Sequence, residues 1–168
     1  MPNVLTTITP WSNESVGIIF STTLASAVYP TANLALYFPF AISQSCIAVD
    51  MFCYNGAAVA GNVDMGIYTA GGTLLVSTGA TAQASTNVLQ KIAITDTTLV
   101  GPNDFYMGIS LSDATTATLF RVATAAQTQG SQGGLQEASA HPLPATATFA
   151  ACATAYTPFF GLTINTTL

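Results

Sequence analysis

Two carboxylates, one histidine and four tyrosines are the side chains here whose types and spacing could do chemistry. Asp50 and Asp64 flank one loop. On neighbouring strands they would stand at the separation of a glycosidase pair, one carboxyl as acid and the other as base or nucleophile. His141 is the single histidine, so a His-based triad must use it. It lies in the stiff run His141-Pro142-Leu143-Pro144, however, and no Gly-x-Ser-x-Gly elbow exists to partner it, so a surface-loop histidine is the expectation. Tyr37, Tyr54, Tyr68 and Tyr106 fall on strand-like segments and could form a glycan-stacking platform, although such tyrosines more often cover a sheet face or an interface. Asp96, Asp104 and Asp113 sit at strand ends, where calcium ligation and turn capping compete and capping is the commoner use. Neither Cys-x-x-Cys nor His-x-x-x-His occurs, and Gly71-Gly72 is not followed by a helix that could cradle a phosphate. The sequence therefore predicts no catalytic residue, no metal and no cofactor, and a protein that is not an enzyme.

The elements that would position these residues are strands. Asn62 to Ser77 organises the chain: Val63, Met65 and Ile67 alternate with Asp64, Gly66 and Tyr68, Thr69-Ala70-Gly71-Gly72 reverses it, and Leu74-Leu75-Val76 returns. Alternation of period two closed by a Gly-Gly turn reads as a β-hairpin. Leu34 to Phe40 reads as a strand that Pro39 demotes to an edge or a bulge. Cys46 to Tyr54 would place Ile47, Val49, Met51 and Cys53 on one face, with Asp50, Phe52 and Tyr54 opposite. Asn87 to Ile94 would turn Val88, Ile92 and Ile94 inward, Gln90 being the exception. Asn103 to Leu111 alternates most cleanly, with Phe105, Met107, Ile109 and Leu111 on one side. Thr118 to Ala123 and Phe159 to Asn165 continue the pattern, whereas Thr124 to Pro158 breaks it, relieved by one short strand near Thr146 to Ala151. The fold class is all-β: a β-sandwich of about eight strands, of the jelly-roll kind, with an extended N-terminal arm. The expected division is an arm or docking segment, 1–33, and a β-sandwich domain, 34–168.

Charge narrows the function. Only 5% of the 168 residues are charged, against roughly 25% in ordinary globular proteins. Lys91 and Arg121 are the only basic side chains, and the net charge is −5. A nucleic-acid footprint neutralises on the order of 6–10 phosphates, so nucleic-acid binding is excluded, as is a polybasic membrane patch. The most apolar run, Val16 to Tyr29, is interrupted by Ser21, Thr22, Thr23 and Ser26 and stopped by Pro30, which argues against a membrane-spanning helix. No signal peptide is indicated at Met-Pro-Asn. Cys46, Cys53 and Cys152 leave at least one thiol unpaired. Cys46 and Cys53 on one extended strand would lie about 23 Å apart on opposite faces, unable to bond.

A surface of Ala, Ser, Thr and Asn has little side-chain entropy to lose and few charges to desolvate on docking, which favours a subunit of an assembly. Residues 1–33 read either as an ordinary first strand pair or as an arm reaching into an adjacent subunit; a docking arm would use Val4, Leu5, Ile8, Trp11, Ile18, Ile19 and Phe20, and fully extended it could reach about 100 Å.

Four segments carry a family resemblance: Leu36-Tyr37-Phe38-Pro39-Phe40; Tyr54-Asn55-Gly56-Ala57-Ala58; Gly61-Asn62-Val63-Asp64-Met65-Gly66-Ile67-Tyr68; and Phe105-Tyr106-Met107-Gly108-Ile109. Together they resemble a β-sandwich domain of tailed-bacteriophage virion proteins, over roughly residues 34 to 125. The resemblance implies a small, uncharged jelly-roll module, commonly trimeric, in head decorations, head fibres, tail fibres or baseplates. It implies location in a virion assembled in the host cytoplasm, other capsid or tail proteins as partners, and no catalytic residues. A carbohydrate-binding module for host attachment, with a host-surface glycan as partner, is the alternative reading that the strand tyrosines motivate.

Overall fold

The structure, a computed structural model, describes residues 5–8, 24–122 and 133–165. Among them there is no helix, and so none long and apolar enough to cross a membrane. The described strands are β1 (Leu5–Ile8), β2 (Leu24–Val28), β3 (Ala35–Ile42), β4 (Cys46–Tyr54), β5 (Asn62–Thr69), β6 (Leu74–Ser77), β7 (Thr81–Ala82), β8 (Leu89–Leu99), β9 (Asn103–Leu111), β10 (Thr118–Val122), β11 (Leu135–Glu137), β12 (Ala150–Ala151) and β13 (Phe160–Asn165). The chain is an all-β sandwich.

One layer is the four-stranded sheet β1-β13-β4-β8; the other runs β12-β11-β3-β9-β5-β6, with β7 beside β6 on β5. A separate pair, β10-β2, is tied to the first layer by bridges from Asn55 to Leu119 and from Arg121 to Pro158. Eight of the strands pair in a nested way. β1 pairs with β13, β3 with β9, β4 with β8 and β5 with β6, outermost in sequence with outermost and innermost with innermost.

Alternation built the interior. Leu36, Phe38 and Phe40 from β3, Met65 and Ile67 from β5, Met107 and Ile109 from β9, and Leu162 from β13 meet between the layers, where Phe38 and Phe160 make an edge-on ring contact at 5.7 Å. Phe105, Met107, Ile109 and Leu111 all turn inward, as the sequence predicts. The central hairpin forms too: Gly72 N–H donates to Thr69 O at 2.9 Å, and Gly72 takes a φ of +86°, the left-handed residue such a loop requires.

Several expectations are corrected. In β4 the inward residues are Cys46 and Ala48, then Met51 and Cys53. Register slips at Val49 against both β13 and β8, so one extra residue moves Ile47 and Val49 off the core face. The same bulge turns Cys46 and Cys53 to one face rather than two; both are free thiols, and burial pushes that of Cys53 up to about 12. Val88 stands 47% exposed because β8 begins after it, beyond Asn87 in the left-handed region. Pro39 is compatible with its strand because β11 ends opposite Tyr37, leaving β3 a local edge at the proline.

The long irregular segment gained a strand that alternation could not reveal, β11, which joins β3; the short one expected near 146–151 is β12. At the N-terminal end, residues 24–33 belong to the body instead of standing off it. β2 pairs with β10, and the buried Tyr29 hydroxyl donates within hydrogen-bond reach of both Leu34 O and Ile109 O. Leu5 and Ile8 pair with Asn165 and Leu162. Val4, Trp11, Ile18, Ile19 and Phe20 lie outside the described residues.

Candidate functional site

The densest group of reactive side-chain types lies on the outer face of the seven-stranded sheet. β5 and β9 are neighbours with Asp64 directly opposite Ser110, and alternation points both away from the sandwich core. Residues 138–149 cross above them as a strap. Leu143 N–H donates to Asp64 Oδ2 at 2.9 Å, Thr78 Oγ1 lies 3.2 Å from Asp64 Oδ1, and His141 Nδ1 is 3.0 Å from Ser110 Oγ. Burial raises the Asp64 carboxyl above its ordinary range, partly offset by these donors and by His141. Burial likewise lowers the His141 imidazole, against the pull of Asp64. His141 Nε2 is shielded from solvent and has no hydrogen-bond partner among the described residues.

Serine, histidine and aspartate in one place invite comparison with a nucleophilic triad, and the geometry does not make one. A relay needs one imidazole nitrogen on the hydroxyl and the other on the carboxylate. Here Nδ1 meets Ser110 while Nε2 meets nothing, and Ser110 and Asp64 are 0% and 1% exposed. A substrate has no route to that hydroxyl. The cluster braces the strap. Sequence reasoning missed Ser110 and Thr78, because they come from separate strands with no motif spacing; their signal was only a polar position on the alternation of β9 and the end of β6.

The tyrosines divide accordingly. Tyr37 and Tyr68 are fully buried beneath the strap, edge-on at 5.2 Å, and neither offers a ring to a glycan or to a neighbour. The Tyr37 hydroxyl donates to Glu137 Oε2 (2.9 Å) and that of Tyr68 to Pro144 O (2.8 Å). Both hydroxyls are pushed far above their ordinary value, first by burial. Phe149 packs on Tyr37 and on the half-buried Tyr106. Tyr54 lies elsewhere, stacked on Phe120 at 4.4 Å on the outer side of the four-stranded sheet, opposite the exposed Leu89 of β8.

Asp50 and Asp64 are not a pair. They stand on different sheets with the core between them: Asp64 is under the strap, and Asp50 makes an ion pair with the half-exposed Lys91 at 2.7 Å. Asp113 is a turn former, its Oδ1 accepting from the backbone N–H groups of Thr115, Thr116 and Ala117, which hold its carboxyl below the ordinary range. Among the described residues, no three His, Cys, Asp or Glu side chains gather as a metal site.

No protein-family profile matches the chain, and no curated protein matches it. Among solved structures, the crystal structure of the infectious bursal disease virus VP2 subviral particle is similar over 98% of this chain at 14% identity, with a TM-score of 0.36. The chain spans 41% of that protein's length, and a likeness so slight carries no argument about function.

Proposed function

We propose that this protein is a non-enzymatic structural subunit of a tailed-bacteriophage virion, an outer-capsid decoration or head-fibre protein held as a homotrimer by other copies of itself and by capsid partners. The observation that carries this reading is the neutral exterior. Among the described residues, Lys91, Asp96 and Asp104 are the only exposed charged side chains. Valines, leucines, alanines and threonines make up much of the remainder, with Val88 and Leu89 standing out beside Tyr54. Such a surface has few charges to desolvate and little side-chain entropy to lose on docking.

The nested strand pairing supports the jelly-roll form of the sandwich. The four segments that resemble phage virion domains support the virion reading in one structural respect. Three of them fall on β3, β9 and β5, which lie side by side in one sheet. The lack of charge leaves packaged DNA an unsuitable partner, which favours the outside of the particle. Separation of Asp50 from Asp64, and burial of Ser110, support the absence of catalysis.

Mass measurement of the purified full chain by light scattering tests the reading. A trimer or larger closed assembly is the expected result. A monomer that persists to high micromolar concentration overturns it. Electron microscopy of labelled particles then decides position: label on the head supports decoration, and label on the tail overturns it.

A further inference from the structure

The strap crosses a sheet face that is itself apolar. Beneath it lie Ala35, Tyr37 and Tyr68, and the strap contributes Ala140, Leu143 and Ala147 to the same cluster. Its backbone is pinned at intervals. Ala140 N–H donates to Asn33 O, Ala147 N–H to Gly72 O, and Leu74 N–H to Ala145 O, at 2.7, 2.8 and 3.0 Å. Between those pins the hold passes through side chains: Asp64 on Leu143, Tyr68 on Pro144, and Ser110 on His141. Glu137 ties both ends, accepting from Tyr37 and from Thr148 N–H.

One of these links is sensitive to a single proton. With Nδ1 on the Ser110 hydroxyl, either neutral tautomer leaves Nε2 without a partner among the described residues. The imidazolium carries a proton on both ring nitrogens, so whichever tautomer it forms from, it holds a buried charge whose Nε2–H has no acceptor among the described residues. A buried charged donor without a partner is among the costliest groups a fold can hold.

We propose that residues 138–149 are an acid-released strap, in which protonation of the His141 imidazole lifts the strap from the seven-stranded sheet and uncovers Tyr37, Tyr68 and Tyr106. The inference is independent of the virion reading. The groups that face His141 are few. Asp64 from β5 is the one acid whose charge favours the imidazolium; β9 presents only the neutral Ser110; Glu137 lies farther along the covering segment, on Tyr37. Tyr37 and Tyr68 stay neutral throughout, being raised by burial. Desolvation outweighs both the attraction of Asp64 and a hydrogen bond to the Ser110 backbone, so the folded imidazole titrates below its ordinary value. The sign follows: the strap's hold is complete above the unfolded value of 6.5 and is lost as pH falls through the lower, folded one.

The single histidine makes the test direct. The ring resonance of His141 in the full chain should titrate below 6.5. Over the same range, hydrogen exchange at the Ala140, Leu143 and Ala147 amides, corrected for intrinsic rates, should accelerate as pH falls. The amides of Leu36 and Ile109 should stay protected. His141→Gln, which cannot gain the proton, should abolish the pH dependence at the strap. A ring titrating at or above 6.5, strap amides indifferent to pH, or a His141→Gln protein with the full pH dependence would each overturn the proposal. Should that variant not fold, the titration and exchange of the unaltered protein still decide it.

Discussion

Replacing Asp64 by alanine tests whether the polar cluster is a brace. The substitution leaves Leu143 N–H, buried under the strap, without its acceptor at 2.9 Å. An unsatisfied buried donor costs about 1–3 kcal/mol. Thr78 loses less, because its hydroxyl still has Gly79 O at 3.1 Å and still accepts from Met65 N–H. Removing the carboxylate also returns the cost of burying it, which the raised Asp64 pKa shows to be the larger influence on that group. That offset draws the net expectation to the lower part of the range, a loss of about 1–2 kcal/mol, or about 2–8 °C in Tm for a domain of this size. Asp64→Asn keeps an oxygen for Leu143 and should lose less than about 1 kcal/mol.

Acidity separates the two variants further. A folded carboxyl raised above 3.8 binds its proton more tightly than the unfolded chain does. Its contribution to stability is therefore full below the unfolded value and is lost as pH rises through the folded one. The unaltered protein should gain on Asp64→Asn as pH is lowered toward 4. Urea unfolding followed by circular dichroism reads both effects. An Asp64→Ala loss within about 0.5 kcal/mol, the size of a surface change, would refute the brace; so would a protein that falls behind Asp64→Asn on acidification.

Three further outcomes follow from the packing. Gly72→Ala should destabilise the hairpin by more than about 1 kcal/mol, because Gly72 has a φ of +86° and an added Cβ would sit 3.0 Å from Ala147 O; Gly71→Ala, with nothing nearer than 3.8 Å, should stay within about 0.5 kcal/mol, as thermal melts would show. Phe38→Ala, which empties the space against Phe160 between the layers, should cost about 3–5 kcal/mol in urea titration, and a loss under about 1 kcal/mol would contradict the core assignment. Asp50→Asn breaks a part-exposed ion pair whose lysine is 53% exposed, so unfolding free energy should change by less than about 1 kcal/mol, with oligomeric mass unchanged.

Strand positions were readable wherever one face met the core and the other did not. β9 shows this best, since Phe105, Met107, Ile109 and Leu111 carry the period without interruption. The reading failed at β4 for a local reason: alternation assigns faces only while register holds, and the extra residue at Val49 reverses the assignment on its N-terminal side. It stopped short at Tyr37 and Tyr68 for a longer-range one. Alternation put Tyr68 on the face opposite Met65 and Ile67, but such a face is exposed only if nothing covers it. Their cover comes from residues near 140 in the chain, whose Pro, Ala and Ser composition has no period to read. The His141 cluster shares that cause, since Asp64, Ser110 and His141 meet only once the sheet and the strap are assembled.

That covering segment also explains how a chain with so little charge remains a well-defined sandwich. A sheet face lined by Tyr37, Tyr68 and small residues would be an apolar patch if left open, and so few charges exist that none can be spared to mask it. The strap solves this with backbone hydrogen bonds and neutral side chains, and places the few ionisable groups it uses, Asp64, Glu137 and His141, at the points where it is held. Among the described residues no such strap crosses the side where Tyr54, Phe120 and Leu89 lie: Leu89 is half exposed, and Tyr54 is covered only in part by Phe120 and by Phe159, edge-on at 6.1 Å. If contacts between copies bury one face of this sandwich, the asymmetry in covering selects that one. A charge placed there, such as Leu89→Lys, should lower the assembled mass in light scattering while leaving the melting curve of the subunit within about 2 °C of the unaltered protein, the size of a surface change. A lysine at the strap-covered face, Leu143→Lys, should do the reverse, unfolding the subunit before it alters assembly. Equal effects of the two on mass would remove the distinction between a covered and an open face.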